Sequence, residues 1–193
     1  MVALKEYYPK LTPDEYFAWE EQQECRYEYV NNEVYAMTGG TVNHGQIAVN
    51  LSTILRNHLE DGDCRVLSSD VKLQIEDSSN YVYPDISVTC DERDRPKNQF
   101  ISYPCIIVEI LSPSTEAYDR GNKFNNLYRR STTLQEYVLV SSGDVAIDLY
   151  RKNEKGGWEI ISHQVGDLVE LQSIGLTFSI DKVFNMQTGI PPS

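Results

Sequence analysis

The chain has 193 residues, a formal net charge of −12 and 40% hydrophobic residues. This length allows one domain to bury roughly 70% of the surface of its unfolded chain, so we expect 1–193 to form a single domain that needs no disulfide bonds. The acidity argues against binding of nucleic acid through a broad basic surface, although an average charge does not exclude a local site.

The cysteines predict neither a zinc finger nor a disulfide framework. Cys25, Cys64, Cys90 and Cys105 form no CxxC pair, and no histidine stands at zinc-finger spacing from them. We therefore expect four reduced thiols in a cytoplasmic protein. The first 16 residues contain charges and prolines where a signal peptide needs an apolar core. No apolar run reaches the roughly 18 residues of a membrane span, so no membrane association is expected.

A helix and a β-hairpin are predicted at the start of the chain. Thr12 and Glu15 have the spacing of a capping box, and Pro13 suits the first helical position, so a helix should run to about Gln22. Two strand patterns then flank Asn31-Asn32, a pair that tolerates the positive φ of a tight hairpin turn. These two strands are expected at 26–30 and 33–37.

The rest of the chain alternates helical and strand patterns. Apolar residues at spacings of three and four predict a long helix from Asn43 to Leu59. The polar segment from Thr115 to Arg130 predicts a partly exposed helix with Phe124, Leu127 and Tyr128 on one side. Turns are expected at 77–80 and 91–98. Strands are expected at 65–67, 71–75, 81–89, 105–111, 136–140, 145–151, 158–163 and 168–171. This order indicates an α/β or α+β fold, with a central mixed β-sheet that carries at least two long helices.

Two carboxylates in predicted strands require an explanation. Glu109 stands inside the apolar run 105–111, which is typical of a strand buried on both faces, and a bare buried anion costs several kcal/mol. It must therefore be protonated, paired with a cation or bound to a metal ion. Asp85 is expected in the middle of another strand, where aspartate is disfavoured. If these two strands are neighbours, both carboxylates can project from the same face of the sheet.

Such a pair of carboxylates favours a metal site. Mg²⁺ is commonly held by one or two carboxylates together with waters and phosphate oxygens. The ion polarises a phosphoryl oxygen and lowers the pKa of an attacking water, as phosphodiester hydrolysis requires. A nearby lysine would stabilise the developing negative charge, and Lys123 is the candidate. The alternatives are an ion pair with a core arginine or lysine for the two acids, and a solvated pair with Asp119 for Lys123.

The ordered motifs of the chain resemble the PD-(D/E)XK nuclease superfamily, and within it the bacterial restriction-endonuclease-like, Uma-type group. The motifs are Arg26-Tyr27-Glu28 with its hairpin, His44, Tyr83-Pro84-Asp85, the run from Val108 to Ser114, Asp119-Arg120-xx-Lys123 and Glu136-Tyr137. This resemblance covers nearly the whole chain. It implies a restriction-endonuclease-like fold, in which helices flank a central mixed β-sheet.

The resemblance also implies a set of catalytic residues. Asp85 and Glu109 would bind Mg²⁺ or Mn²⁺, the backbone carbonyl of Ile110 would be a third ligand, and Lys123 would complete the catalytic set. One position departs from the superfamily pattern, because the lysine expected two residues after the acid is Leu111 here. The resemblance implies that this lysine has moved to Lys123, and a flexible ammonium can reach one point from either backbone position.

Other charged residues are candidates for supporting roles near the metal ion. They are Glu28, His44 and Asp70. The ordinary alternatives are a solvated strand glutamate for Glu28 and a capping or packing histidine for His44. Cationic side chains that could offset the acidity of the chain cluster locally at Arg120, Lys123, Arg129 and Arg130.

The expected function is that of a Mg²⁺- or Mn²⁺-dependent endonuclease that hydrolyses phosphodiester bonds of DNA by a metal-activated water. The alternative is a catalytically inactive nuclease-fold module that binds nucleic acid or a protein partner, which the net acidity and Leu111 favour. A component of a toxin, transposon or restriction system is a third hypothesis, which the sequence does not address. We expect a homodimer by analogy, since an enzyme that cuts both strands benefits from two sites related by a two-fold axis.

Overall fold

The computed structural model describes residues 10–37, 39–75, 80–113 and 115–185; Ser114 and most of the predicted turn at 77–80 lie outside the described residues. The helices are α1 (Pro13–Glu20), α2 (Val42–His58) and α3 (Phe124–Asn126). The strands are β1 (Tyr27–Val30), β2 (Glu33–Ala36), β3 (Arg65–Ser68), β4 (Lys72–Ile75), β5 (Asn80–Val82), β6 (Ile86–Thr89), β7 (Phe100–Ile101), β8 (Ile106–Leu111), β9 (Glu136–Ser141), β10 (Ala146–Lys152), β11 (Trp158–Gln164), β12 (Leu168–Leu171) and β13 (Leu176–Ser179). No helix in this described part is long and apolar enough to cross a membrane.

The first helix and hairpin are confirmed. Thr12 Oγ1 accepts a hydrogen bond from the Glu15 N–H, and Glu15 Oε2 accepts one from the Thr12 N–H at 2.8 Å, which completes the capping box. The helix ends at Glu20, two residues before the expected end. In the hairpin, Asn31 and Asn32 have φ angles of 53° and 65°, the left-handed conformation of a type I′ turn.

The described residues form two main sheets and one small sheet. The six-stranded sheet has the order β11-β10-β9-β8-β6-β3, and it is mixed because β8 and β9 are parallel while its other neighbours are antiparallel. The five-stranded sheet has the order β2-β1-β5-β4-β7, and β12 pairs with β13. The sequence predicted one mixed sheet, so the second sheet and the strands β7 and β13 were missed.

Strand β8 is buried on both faces, as its apolar run predicted. On one face, Ile106, Val108 and Ile110 share a core with the buried side of α2. On the other face, Ile107 and Leu111 share a core with side chains from the 124–128 segment. The buried residues of α2 repeat every four positions, at Ile47, Leu51 and Leu55.

The predicted strand 81–89 is wrong as a single element. It consists of β5 and β6, which belong to different sheets, with Tyr83, Pro84 and Asp85 between them. Proline has no N–H to donate to a ladder, so the strand pairing changes at Pro84. Asp85 therefore lies at the junction of the two sheets, immediately before β6, and not in the middle of a strand.

The segment from Thr115 to Arg130 is irregular where one continuous helix was expected. It contains a π-helical stretch (Tyr118–Lys123), then α3, then a 3₁₀ turn (Tyr128–Arg130). The expected apolar side is correct, since Phe124, Leu127 and Tyr128 are buried. π-Helical turns are rare and occur frequently at functional sites.

The expectation of four reduced thiols is wrong for one pair. Cys64 and Cys90 form a disulfide, while Cys25 and Cys105 are free. The ladder between β3 and β6 pairs Arg65 with Thr89, so the two bonded cysteines lie opposite each other one step beyond the strand ends. This proximity comes from strand pairing across 26 positions of sequence, which cysteine spacing does not reveal.

Candidate active site

Asp85 and Glu109 face each other across neighbouring strands. In the antiparallel ladder between β6 and β8, Ile86 pairs with Val108. One step further along this register, Asp85 stands opposite Glu109, and both side chains are buried. The two strands are therefore neighbours, as the sequence analysis required, and directly opposed residues of an antiparallel pair project to the same face.

Asp85 is held by the backbone of β8 and by the start of α2. Its Oδ2 accepts a hydrogen bond from the Ile110 N–H at 2.7 Å, and His44 Nε2 lies 3.1 Å from the same oxygen. His44 is positioned by the helix N-cap, where its N–H donates to Thr41 Oγ1. A Cβ atom at Gly40 would lie 2.7 Å from His44 Nδ1, so the imidazole packs where position 40 has no side chain.

The Ile110 carbonyl lacks its usual ladder donor. The Leu111 carbonyl accepts from Ser142 on the β9 side, so the N–H and C=O of Ile110 point to the opposite side, towards β6. The register places Pro84 opposite Ile110, and proline has no N–H. The Ile110 N–H bonds instead to the Asp85 carboxylate. The Ile110 carbonyl oxygen is therefore directed to the same region as Asp85.

Lys123 points into the site and not into solvent. Its Nζ lies 2.9 Å from Glu109 Oε1 and 3.0 Å from Glu28 Oε1, and the side chain is buried. Burial by itself lowers the pKa of this lysine. The carboxylates of Glu109, Glu28 and Asp119 outweigh that effect and hold the pKa of Lys123 well above its ordinary value. The lysine is therefore a fixed buried cation.

Three further side chains surround this lysine. Glu28, a predicted supporting residue, also accepts a hydrogen bond from the Tyr83 N–H at 3.1 Å. Tyr128 and Asp119 were not predicted as part of the site. The Tyr128 hydroxyl donates to Glu109 Oε1 at 2.5 Å, and Asp119 is a buried acid that acts electrostatically on Glu109. The four-residue spacing between Asp119 and Lys123 was a sequence signal for Asp119, whereas no pattern indicated Tyr128.

Among the described residues, the site contains more buried acids than buried bases. Its buried acids are Glu28, Asp85, Glu109 and Asp119, and its buried lysine is Lys123. Burial raises the pKa of Glu109 to about 8; Lys123 lowers it, and the other three acids raise it. A buried cluster with this excess of carboxyl groups must bind protons or an additional cation at neutral pH.

The raised pKa of Glu109 predicts a pH-dependent contribution to stability in metal-free protein. Between the ordinary value of 4.5 and about 8, the unfolded chain loses this proton while the folded chain keeps it. The free energy of unfolding should therefore fall as pH rises through this window, relative to that of Glu109→Gln, which cannot ionise. Urea denaturation of both proteins in EDTA across the window checks this. A stability difference that does not change with pH would contradict it.

Two other sequence predictions, the supporting role of Asp70 and the basic cluster at 120–130, differ from what the structure shows. Asp70 is exposed, and its Oδ1 lies 2.6 Å from Arg26 Nη1. The predicted basic cluster is divided, because Lys123 is buried while Arg120 bonds the carboxylates of Glu116 and Asp148. The four residues 120, 123, 129 and 130 therefore do not form one free basic surface.

The residues that could hold a metal ion are oxygen donors. Within the described residues, no three His, Cys, Asp or Glu side chains form a metal-binding group. Asp85, Glu109 and the Ile110 carbonyl offer the smaller set of oxygen ligands that suits Mg²⁺, which keeps several of its waters.

Comparisons with known proteins agree on the family and the fold. The model of the family Uma2, described as "Putative restriction endonuclease", matches residues 13–182. In Synechocystis sp., "Uncharacterized protein slr1290" is 55% identical over 92% of this chain and 93% of its own length. "Uncharacterized protein sll1609" from the same organism is 30% identical over 84% of this chain and 92% of its own length.

A solved structure extends this agreement to the fold. It is the crystal structure of "a putative nuclease belonging to DUF820" from Anabaena variabilis, which superposes with a TM-score of 0.71 at 19% identity. The match covers 92% of this chain and 99% of the other. The fold is therefore the restriction-endonuclease-like α+β fold that the sequence predicted.

Proposed function

The chain belongs to the Uma2 family of restriction-endonuclease-like proteins, and from this premise we propose that it is a metal-dependent endonuclease that hydrolyses phosphodiester bonds of DNA. The observation that carries the proposal is the pair Asp85 and Glu109, opposed across two buried strands, with Lys123 Nζ 2.9 Å from Glu109. Nuclease sites need a cation, acids that bind it and a second positive charge for the phosphoryl group.

Asp85, Glu109 and the Ile110 carbonyl would hold Mg²⁺ or Mn²⁺. The excess of buried acids supports this assignment, since a divalent cation would compensate it. When bound, such an ion supplies Lewis-acid polarisation of the phosphoryl oxygen and a water of lowered pKa.

The protein side chains position charge around the substrate phosphate. Lys123 keeps its proton and places a fixed ammonium beside Glu109, where it would stabilise the negative charge that develops in the transition state. Glu28 and Tyr128 act as positioning residues, because the first bonds Lys123 and the second bonds Glu109 Oε1. His44 orients the Asp85 carboxylate from the start of α2.

The experiment is a nicking assay with supercoiled plasmid and purified protein. Wild-type protein should nick the plasmid in Mg²⁺ or Mn²⁺ and not in EDTA. Titration calorimetry with Mn²⁺ should give a binding heat that Glu109→Gln abolishes, since one of two protein carboxylates is lost. Nicking that proceeds equally in EDTA would contradict metal dependence, and Mn²⁺ heat unchanged in Glu109→Gln would remove Glu109 as a ligand.

A catalytically inactive nuclease-fold module remains the second candidate. The observation in its favour is that the Lys123 ammonium is engaged by two carboxylates of the protein itself, those of Glu28 and Glu109. Under this alternative, the protein binds DNA or a protein partner but does not nick plasmid at any metal concentration. The assay above therefore separates the two functions.

We also propose a single domain and a homodimer for the active protein. Two sites related by a two-fold axis would suit cleavage of both DNA strands. Light scattering at micromolar concentration should give twice the mass of the 22.1 kDa chain. A monomer under these conditions would remove the homodimer and leave the metal site unaffected.

A further inference from the structure

An arginine and an aspartate form an exposed pair beside the carboxylate site. Arg26 Nη1 lies 2.6 Å from Asp70 Oδ1, and it also donates to the carbonyl oxygen of Ser69. The two side chains are 45% and 75% exposed, unlike the buried ion pairs inside the site. A surface ion pair contributes only about 0 to 1 kcal/mol to the free energy of unfolding. The pair of Arg26 and Asp70 therefore does little to stabilise the fold.

Arg26 is close to the site along the chain and through the next loop. It lies immediately before β1 and two positions before Glu28, which bonds Lys123. Residues i and i+2 of a strand are about 7 Å apart and lie on the same face. The Arg26 carbonyl also accepts a hydrogen bond from the N–H of Met37, at the start of the loop that leads to His44.

The partners of Arg26 also border the site, because Ser69 and Asp70 form the turn between β3 and β4. The ladder between β3 and β6 pairs Ser68 with Ile86, so Ser69 stands opposite Asp85 one step further. Asp70 follows Ser69 in the same turn, which is closed by the hydrogen bond from the Val71 N–H to the Ser68 carbonyl. The turn that holds the Arg26 guanidinium therefore lies next to one of the two proposed metal ligands.

The chemistry of the guanidinium suits a phosphate. Arginine has five N–H donors in a planar fork that matches the oxygens of a phosphate group. Both contacts named above use Nη1, and Nε and Nη2 carry the remaining donors of the fork. Asp70 is an exposed anion at this position. It would therefore compete with a phosphate for Arg26, and its negative charge would repel the phosphate.

We propose that Arg26 binds a backbone phosphate of the nucleic acid adjacent to the scissile one, and that Asp70 occupies Arg26 when no substrate is bound. Arg26 stands two positions before Glu28, the residue that bonds Lys123, so the proposed phosphate lies beside the reacting group. The inference rests on the proposed function, because it names a substrate contact of the same site.

The test uses Arg26→Gln and Asp70→Asn with a matched control pair. Arg95 and Asp63 form a similar surface ion pair, 2.8 Å apart and 52% and 78% exposed, beyond the opposite end of β3. Arg95→Gln and Asp63→Asn make the same changes in net charge. Each variant is assayed for plasmid nicking in Mn²⁺, with the Mn²⁺ binding heat and the melting temperature measured in parallel.

Arg26→Gln should raise KM about tenfold with kcat nearly unchanged, because a charged hydrogen bond to bound substrate is lost. The slope of log kcat/KM against log salt concentration should fall by about one, the value for one phosphate contact. Asp70→Asn should lower KM, and neither change should alter Mn²⁺ binding. Arg95→Gln and Asp63→Asn should match wild type in KM and salt slope.

Two results would overturn the inference in distinguishable ways. If wild type nicks the plasmid and Arg26→Gln matches Arg95→Gln in KM and salt slope, Arg26 is not a phosphate ligand and the proposed function stands. If Arg26→Gln changes kcat without changing KM, the proposed contact is also wrong. Wild-type protein that does not nick plasmid in any metal ion overturns the proposed function, and this inference with it.

Discussion

Asp85→Asn is expected to reduce plasmid nicking by about a thousandfold or more while the fold is retained. The loss follows from the proposed metal coordination, because a bound divalent ion supplies several kcal/mol of transition-state stabilisation and each 1.4 kcal/mol is about tenfold in rate. Asparagine keeps the shape of the side chain and an oxygen that can accept the Ile110 N–H. The substitution therefore removes the negative charge and preserves the hydrogen bond to β8.

The stability of this variant separates a catalytic role from a structural one. Asp85 is a buried acid whose charge acts unfavourably on the buried Glu109, so loss of that charge should leave the melting temperature equal to or above that of metal-free wild type. Asp63→Asn is the control, since Asp63 is exposed and pairs with Arg95. Nicking by Asp85→Asn at the rate of Asp63→Asn would exclude Asp85 from the catalytic site. A lowered melting temperature would indicate a structural role.

Lys123→Met should abolish nicking and also destabilise the protein by about 3 kcal/mol at neutral pH. Nζ is buried between Glu28 and Glu109, and removal of one partner of a buried ion pair leaves an uncompensated charge, a change that typically costs about 3 to 5 kcal/mol. Methionine has nearly the same length and fills the same volume. Urea denaturation and the nicking assay measure the two effects separately.

A double variant distinguishes loss of catalysis from loss of fold. Lys123→Met with Glu28→Gln removes the lysine and one of its two carboxylate partners, so most of the lost stability should return. Nicking should not return, because the ammonium beside Glu109 is still absent. Wild-type nicking by this double variant would show that Lys123 serves only to neutralise buried acids. Lys123 would then not replace the catalytic lysine of the superfamily, whose usual position is occupied here by Leu111.

Several elements were predictable because their signals are local. The capping box at Thr12, the left-handed Asn31-Asn32 turn and the four-residue repeat of α2 each depend on residues within one or two turns of chain. The burial of β8 followed from its continuous apolar run. Glu109 was identified for the same reason, since a carboxylate in such a run requires a partner wherever the strand is placed.

Other features depended on pairing between distant segments. The break at Pro84, which moves Asp85 to the junction of two sheets, was hidden by an apolar pattern that continues on both sides of it. The Cys64–Cys90 disulfide depends on the register of β3 against β6. The irregular backbone after Thr115 could not be distinguished from an ordinary amphipathic helix, because both bury Phe124 and Tyr128.

By itself the sequence identified Glu109 as a buried carboxylate that must be protonated, paired with a cation or bound to a metal ion, because the cost of burying a charge depends on the apolar residues around it. Only the tertiary structure decided that Asp85 faces Glu109, since that depends on the register of β6 against β8. It also decided the environment of Lys123, whose Nζ lies 2.9 Å from Glu109 and 3.0 Å from Glu28. The sequence spacing favoured a solvated Lys123 paired with Asp119. Local periodicity contains no information about Glu28 and Glu109, which two distant strands bring next to Lys123.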